Sequence, residues 1–169
     1  MKPRNKIILV VPPVKPGGDR FLTFSVNAPH MGLAYLAAVL QQDGFTVEVL
    51  DAQIAELDFI KFEQAIRRIN PNIMGITAFT EQVEEARLAG RIIKRINPDI
   101  PVIVGGCHPT ALPELTLKEF PDFDFAVFGE GEATIYLRPG KILNLFRIVR
   151  LRVLFLSVWF QMKKYISKG

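Results

Sequence analysis

Cys107 and His108 stand side by side at the end of an apolar run, in VIVGGCHPT, residues 102–110. They are the single cysteine and one of the two histidines; the other, His30, lies in NAPHMG. A thiol next to an imidazole suggests nucleophilic attack, metal ligation or hydrogen bonding to a ligand. One cysteine excludes an internal disulfide, an all-cysteine zinc site and an iron–sulfur cluster on three or four cysteines of this chain. Cys107 is expected to be a small, partly buried filler. His108 has two readings: it approaches a ligand from the strand end, or it caps and hydrogen-bonds within the turn.

Glycines surround these residues. Gly105 and Gly106 precede Cys107, and Gly129 and Gly131 recur in FGEGE, residues 128–132. Without a β-carbon, such positions let a flat or bulky ligand lie against the backbone, although they would also serve tight turns. Thr77 and Thr80, in TAFTEQ, offer hydroxyls, and Thr80 is placed to cap a helix near Glu81. Glu130 and Glu132 either accept hydrogen bonds from ligand amides or are ordinary surface acids.

The elements that would hold these groups follow from hydrophobic period. Five β-branched runs read as strands: Lys6–Val11, Thr46–Leu50, Ile73–Ala78, Val102–Val104 with its glycines, and Phe125–Phe128. Helical segments lie between them, at 31–44, 59–70, 81–97 and 112–120, two of them stopped by Asn-Pro at Pro71 and Pro98. Alternation of strand and helix predicts a flavodoxin-like, Rossmann-like doubly wound α/β fold. It has a five-stranded parallel sheet of order 2-1-3-4-5, because crossovers are right-handed. Ligands of such sheets bind beyond the carboxyl ends of the strands. The long, Pro- and Gly-rich connection after the first strand belongs to that edge.

Several functions are excluded by what those loops lack. The first turn, PPVKPGGD, has no G-x-G-x-x-G, and no P-loop sequence occurs. Pro12, Pro13 and Thr77 stand where a phosphorylated receiver domain needs acids. The apolar stretch near the N-terminus, Ile7–Val11, is too short for a signal peptide or a membrane span.

The ordered set VPPV, APHMGLAYLAAVLQQDGFTVEVLDA, GITAFT, PDIPVIVGGCHPTALPE and FAVFGEGE resembles the N-terminal cobalamin-binding domain of B12-dependent radical SAM enzymes, over about residues 5–132. The resemblance implies a corrin across the carboxyl edge of the sheet, with its nucleotide tail beside the strands. It implies contacts from Pro29, Gly32 and Leu33, from Thr77 and Thr80, from Gly105, Gly106 and His108, and from Gly129, Glu130 and Gly131. Other cobalamin domains carry D-x-H-x-x-G, whose histidine ligates cobalt. NAPHMG has no Asp two residues before His30, and Gly32 follows two residues later rather than three. A His-off mode is therefore expected, with cobalt free below or bound by water and His108 a weak candidate ligand. The parent enzymes hold a [4Fe–4S] cluster on C-x-x-x-C-x-x-C, which one cysteine cannot supply. No iron–sulfur cluster is expected here, and catalysis would have to be completed in trans.

Residues 1–132 thus read as a cobalamin-binding α/β domain and 133–169 as a tail. All 17 acidic residues fall at or before Glu132, so the net charge of +4 conceals a wholly basic tail. Within it, YLRPGKIL resembles the segment closing the full-length enzymes, as though the catalytic core between were lost. From Pro139 the pattern is helical and apolar on nearly every face, broken by Arg147, Arg150 and Arg152, which argue against a membrane span. Three fates are open to this basic apolar helix: packing on the body, docking on a partner or a second copy, or lying on an anionic membrane surface. Nucleic-acid binding is not expected, since no reading module is visible. The reducing cytoplasm is the expected setting.

Overall fold

A computed structural model describes residues 6–15, 30–129 and 148–149. The elements are β1 (Lys6–Val11), α1 (Met31–Gln42), β2 (Thr46–Asp51), α2 (Phe59–Ile69), β3 (Ile73–Thr77), a 3₁₀ turn (Thr80–Gln82), α3 (Val83–Ile96), β4 (Val102–Gly105), α4 (Cys107–Ala111), α5 (Pro113–Glu119), β5 (Phe125–Val127) and β6 (Ile148–Val149). They form one sheet of order β2-β1-β3-β4-β5-β6. The first five strands are parallel, in the doubly wound order that alternation predicts.

β1 is apolar from Ile7 to Val11 because both of its faces are covered there. Ile8 and Val10 enter one core with Phe62, Ile66, Met74, Ile76, Ile93, Val102, Val104 and Phe120, beneath α2, α3 and α5. Ile7, Leu9 and Val11 enter a smaller core with Leu33, Ala37, Leu40 and Val47, beneath α1. Burial of a side chain such as Phe62 contributes roughly 1.5–3 kcal/mol.

Helix ends follow the local chemistry. Asp58 caps α2 by accepting the Lys61 N–H at 2.7 Å, and the helix stops at Asn70, left-handed at φ 50°, just before Pro71. At α3 the expected Thr80 cap is absent: the chain tightens into a 3₁₀ turn at Thr80, makes no side-chain cap, and the α-helix begins at Val83. The helix expected at 112–120 is two helices, because CHPTA already turns. Pro113 disfavours helical geometry at Leu112, which separates them at φ −136°, ψ 58°.

The helix read from Pro139 onward differs at the two tail residues described. Ile148 and Val149 pair antiparallel with Val127 and Ala126 as β6. A β-branched pair suits the free edge of β5. The rest of that helix lies outside the described residues. Among the described residues, no helix is long and apolar enough to cross a membrane.

Candidate functional site

Parallel strands end together, so the segments after β3, β4 and β5 meet at one edge of the sheet. Register pairs Thr77 with Gly105, at the last residues of β3 and β4. Both lie on the face that α1 covers farther along. Ile73, two turns of the pleat before Thr77, packs on the α1 core, and side chains alternate along a strand. Thr77 is buried, at 5% exposure.

The two adjacent glycines have different reasons to be glycine. Among the described residues, a β-carbon built at Gly105 would meet nothing within 4 Å. At Gly106, φ is 103°, and a β-carbon would lie 2.8 Å from the Ala78 carbonyl oxygen and 3.0 Å from Thr77 Oγ1. Gly106 is therefore dictated by the close approach of the β3 loop, whereas the fold leaves open space beside Gly105. Backbone hydrogen bonds fasten the same two segments: Ala78 N–H donates to Gly105 O at 2.8 Å, and His108 N–H donates to Ala78 O at 3.1 Å.

α1 brings its first turn to this edge. His30 is the N-cap, its Nδ1 accepting the Leu33 N–H at 3.2 Å, and its ring lies 6.3 Å from that of Phe79 just after β3. An acceptor Nδ1 places the proton of a neutral imidazole on Nε2, which then has no lone pair for a metal. Gly32 is exposed, while Leu33 is a core residue of the α1 cluster. Thr80 is exposed, and Phe79 keeps 37% exposure beside it. Gly129, at φ 71°, donates its N–H to Thr110 Oγ1 at 3.1 Å, joining the segments after β4 and β5. Pro29, Glu130 and Gly131 lie outside the described residues.

Cys107 and His108 separate. Cys107 is exposed rather than a partly buried filler, because α4 begins directly after Gly106 and consecutive helical residues point about 100° apart. His108 turns inward to 7% exposure, with its ring 6.2 Å from that of Phe120 in the larger core, on the sheet face opposite the open side of Gly105. Neither ring nitrogen has a hydrogen-bond partner among the described residues. Among the described residues, no group of three His, Cys, Asp or Glu side chains is placed to hold a metal ion. Phe79 and Thr110 also join the edge; each lies within a stretch quoted above, TAFTEQ and VIVGGCHPT, but neither residue type marks it there as a site residue.

A doubly wound sheet with an open glycine at its carboxyl edge defines a ligand-binding domain of the Rossmann-like class. The sequence model of the B12 binding domain matches residues 20–137, and the chain belongs to that family. It is thus a cobalamin-binding module. Its relatives include an uncharacterized methyltransferase, PH0819, of Pyrococcus horikoshii, 38% identical over 76% of this chain and 28% of the relative. Another is the anaerobic magnesium-protoporphyrin IX monomethyl ester cyclase of Rubrivivax gelatinosus, 34% identical over 75% of this chain and 22% of that protein. The chain spans about a quarter of the length of these relatives. Among solved structures, the cobalamin-dependent S-adenosylmethionine radical enzyme OxsB with aqua-cobalamin bound matches 98% of this chain and 25% of its own. That match has a TM-score of 0.64 at 18% identity, a likeness of fold.

Proposed function

We propose that this module holds cobalamin over the carboxyl edge of its sheet in a His-off mode, and that any reaction is completed by protein outside the described domain. The observation that carries the site is the space left open beside Gly105 by the described residues, on the same face as Thr77, where none of them demands a glycine. Gly105 and Thr77 form the floor. Gly32, Thr80 and Gly129 stand around it; the resemblance adds Pro29, Glu130 and Gly131, whereas Leu33, Gly106 and His108 of the same set serve the packing of the fold. When bound, cobalamin supplies a cobalt centre for alkyl or electron transfer. The chain's own residues bind it and shield it from water.

Two features support the His-off reading. His30 spends Nδ1 on capping α1, leaving Nε2 protonated in its neutral form. His108 faces Phe120, away from the open side of Gly105, so it contributes to the turn beneath the cofactor rather than to cobalt. The relatives' names suggest methyl transfer or a radical reaction as the activity of the larger assembly. The acid-free tail supplies the segment that meets a protein partner or a second copy there, in a reducing cytoplasmic setting.

The test is equilibrium titration of the purified chain with hydroxocobalamin, followed by the visible spectrum of the complex. Saturable binding is expected, with a spectrum that keeps the same band positions in His30→Asn and His108→Gln. Absence of binding would turn attention to an interaction domain without a cofactor. A band shift in either variant would establish histidine ligation and refute the His-off mode.

A further inference from the structure

We infer that Thr110 is a positioning residue, which sets the segment after β5 against the glycine floor of the cofactor site. This rests on the cobalamin reading for its consequence, but its structural basis is independent of it. The segments after β3 and β4 are held together by backbone hydrogen bonds, Ala78 to Gly105 and His108 to Ala78. Between the segments after β4 and β5, the described cross-link is a side chain. Thr110 Oγ1 accepts the Gly129 N–H at 3.1 Å, across 19 residues of sequence. β4 and β5 share only the pairs Ile103–Phe125 and Val104–Ala126, so their ladder ends before either glycine.

The position of Thr110 is itself fixed. It lies in α4, and its N–H donates to Gly106 O at 3.1 Å, so its hydroxyl rides on the turn that Gly106 packs against Ala78. Gly129 adopts φ 71°, a conformation open to a glycine, at the residue whose N–H the hydroxyl accepts. Gly105 and Gly129 thereby belong to one hydrogen-bonded rim running from β3 through α4 to β5. A ligand resting on Gly105 meets the β5 segment already in place, and ordering that segment no longer opposes binding. Thr110 acts through Gly129 and needs no contact with the ligand.

The experiment compares Thr110→Val, which keeps the shape and removes the acceptor, with Thr110→Ser, which restores the hydroxyl. In the full chain without cofactor, amide exchange at Gly129 is expected to accelerate in the Val variant and stay near wild type in the Ser variant, with both melting near the wild-type temperature. In hydroxocobalamin titrations, the Val variant is expected to bind about three- to tenfold more weakly, the range of one hydrogen bond, and the Ser variant to recover. Unchanged Gly129 exchange in Thr110→Val overturns the link. Faster exchange with unchanged affinity overturns its role in binding, and so does failure of Ser to rescue. If wild type itself binds no cobalamin, the cofactor reading fails by that control, and with it the binding role of Thr110, while the exchange data still decide the link.

Discussion

Replacing each of the two adjacent glycines separates packing from ligand clearance. In Gly106→Ala, a β-carbon is forced to φ 103° and to within 2.8 Å of the Ala78 carbonyl oxygen, with Thr77 Oγ1 at 3.0 Å. The backbone conformation, with ψ at −166°, costs about 1–3 kcal/mol and the overlap roughly 1–3 kcal/mol, so destabilisation of about 2–6 kcal/mol is expected. That is a large share of the roughly 5–15 kcal/mol that holds an ordinary domain together. In Gly105→Leu, the new β-carbon meets none of the described residues within 4 Å and no positive φ is required. Stability should stay within about 1 kcal/mol of wild type, because losing a strand glycine also reduces the entropy of the unfolded chain. The leucine fills the space assigned to the cofactor, so hydroxocobalamin affinity should fall at least about tenfold, equivalent to roughly 1.4 kcal/mol. Urea unfolding of the apo proteins and visible-absorbance titration provide the two axes. A stable Gly106→Ala would refute the packing account of that residue, and a Gly105→Leu protein with wild-type affinity would remove the cofactor from this face.

His30→Ala should destabilise the fold by about 1 kcal/mol through loss of the α1 cap, and His30→Asn should recover most of it, since Asn is a good N-cap; urea midpoints decide. If both variants unfold alike, the cap contributes nothing. Glu63 accepts hydrogen bonds from Arg67 on α2 and from Arg95 on α3, and the Arg67 hydrogen bond foremost, joined by Arg95, holds its carboxyl below the usual range. A lowered folded-state pKa means stability present above the ordinary carboxylate range and lost as pH falls through the folded value. The difference in melting temperature between wild type and Glu63→Gln should therefore be largest near neutrality and close in acid. A gap constant with pH would show that the charge is not what joins α2 to α3.

Sequence alone determined the framework. Alternating β-branched runs and amphipathic segments define a parallel sheet, since adjacent parallel strands require crossovers, and the fixed hand of those crossovers leaves few orders. The pairing of every strand from β1 to β5 follows that order. The sequence also leaves the task of His30 open, and the structure gives it the N-cap of α1. What sequence left level was the pair Gly105–Gly106. Their difference arises from Ala78, nearly thirty residues away, whose backbone would collide with a β-carbon at Gly106 but not with one at Gly105. The opposite fates of Cys107 and His108, and the bond from Thr110 to Gly129, have the same origin. Period and propensity act within a few residues. Open space, close approach and burial depend on which distant segment arrives beside a given atom, and only the packed sheet decides that.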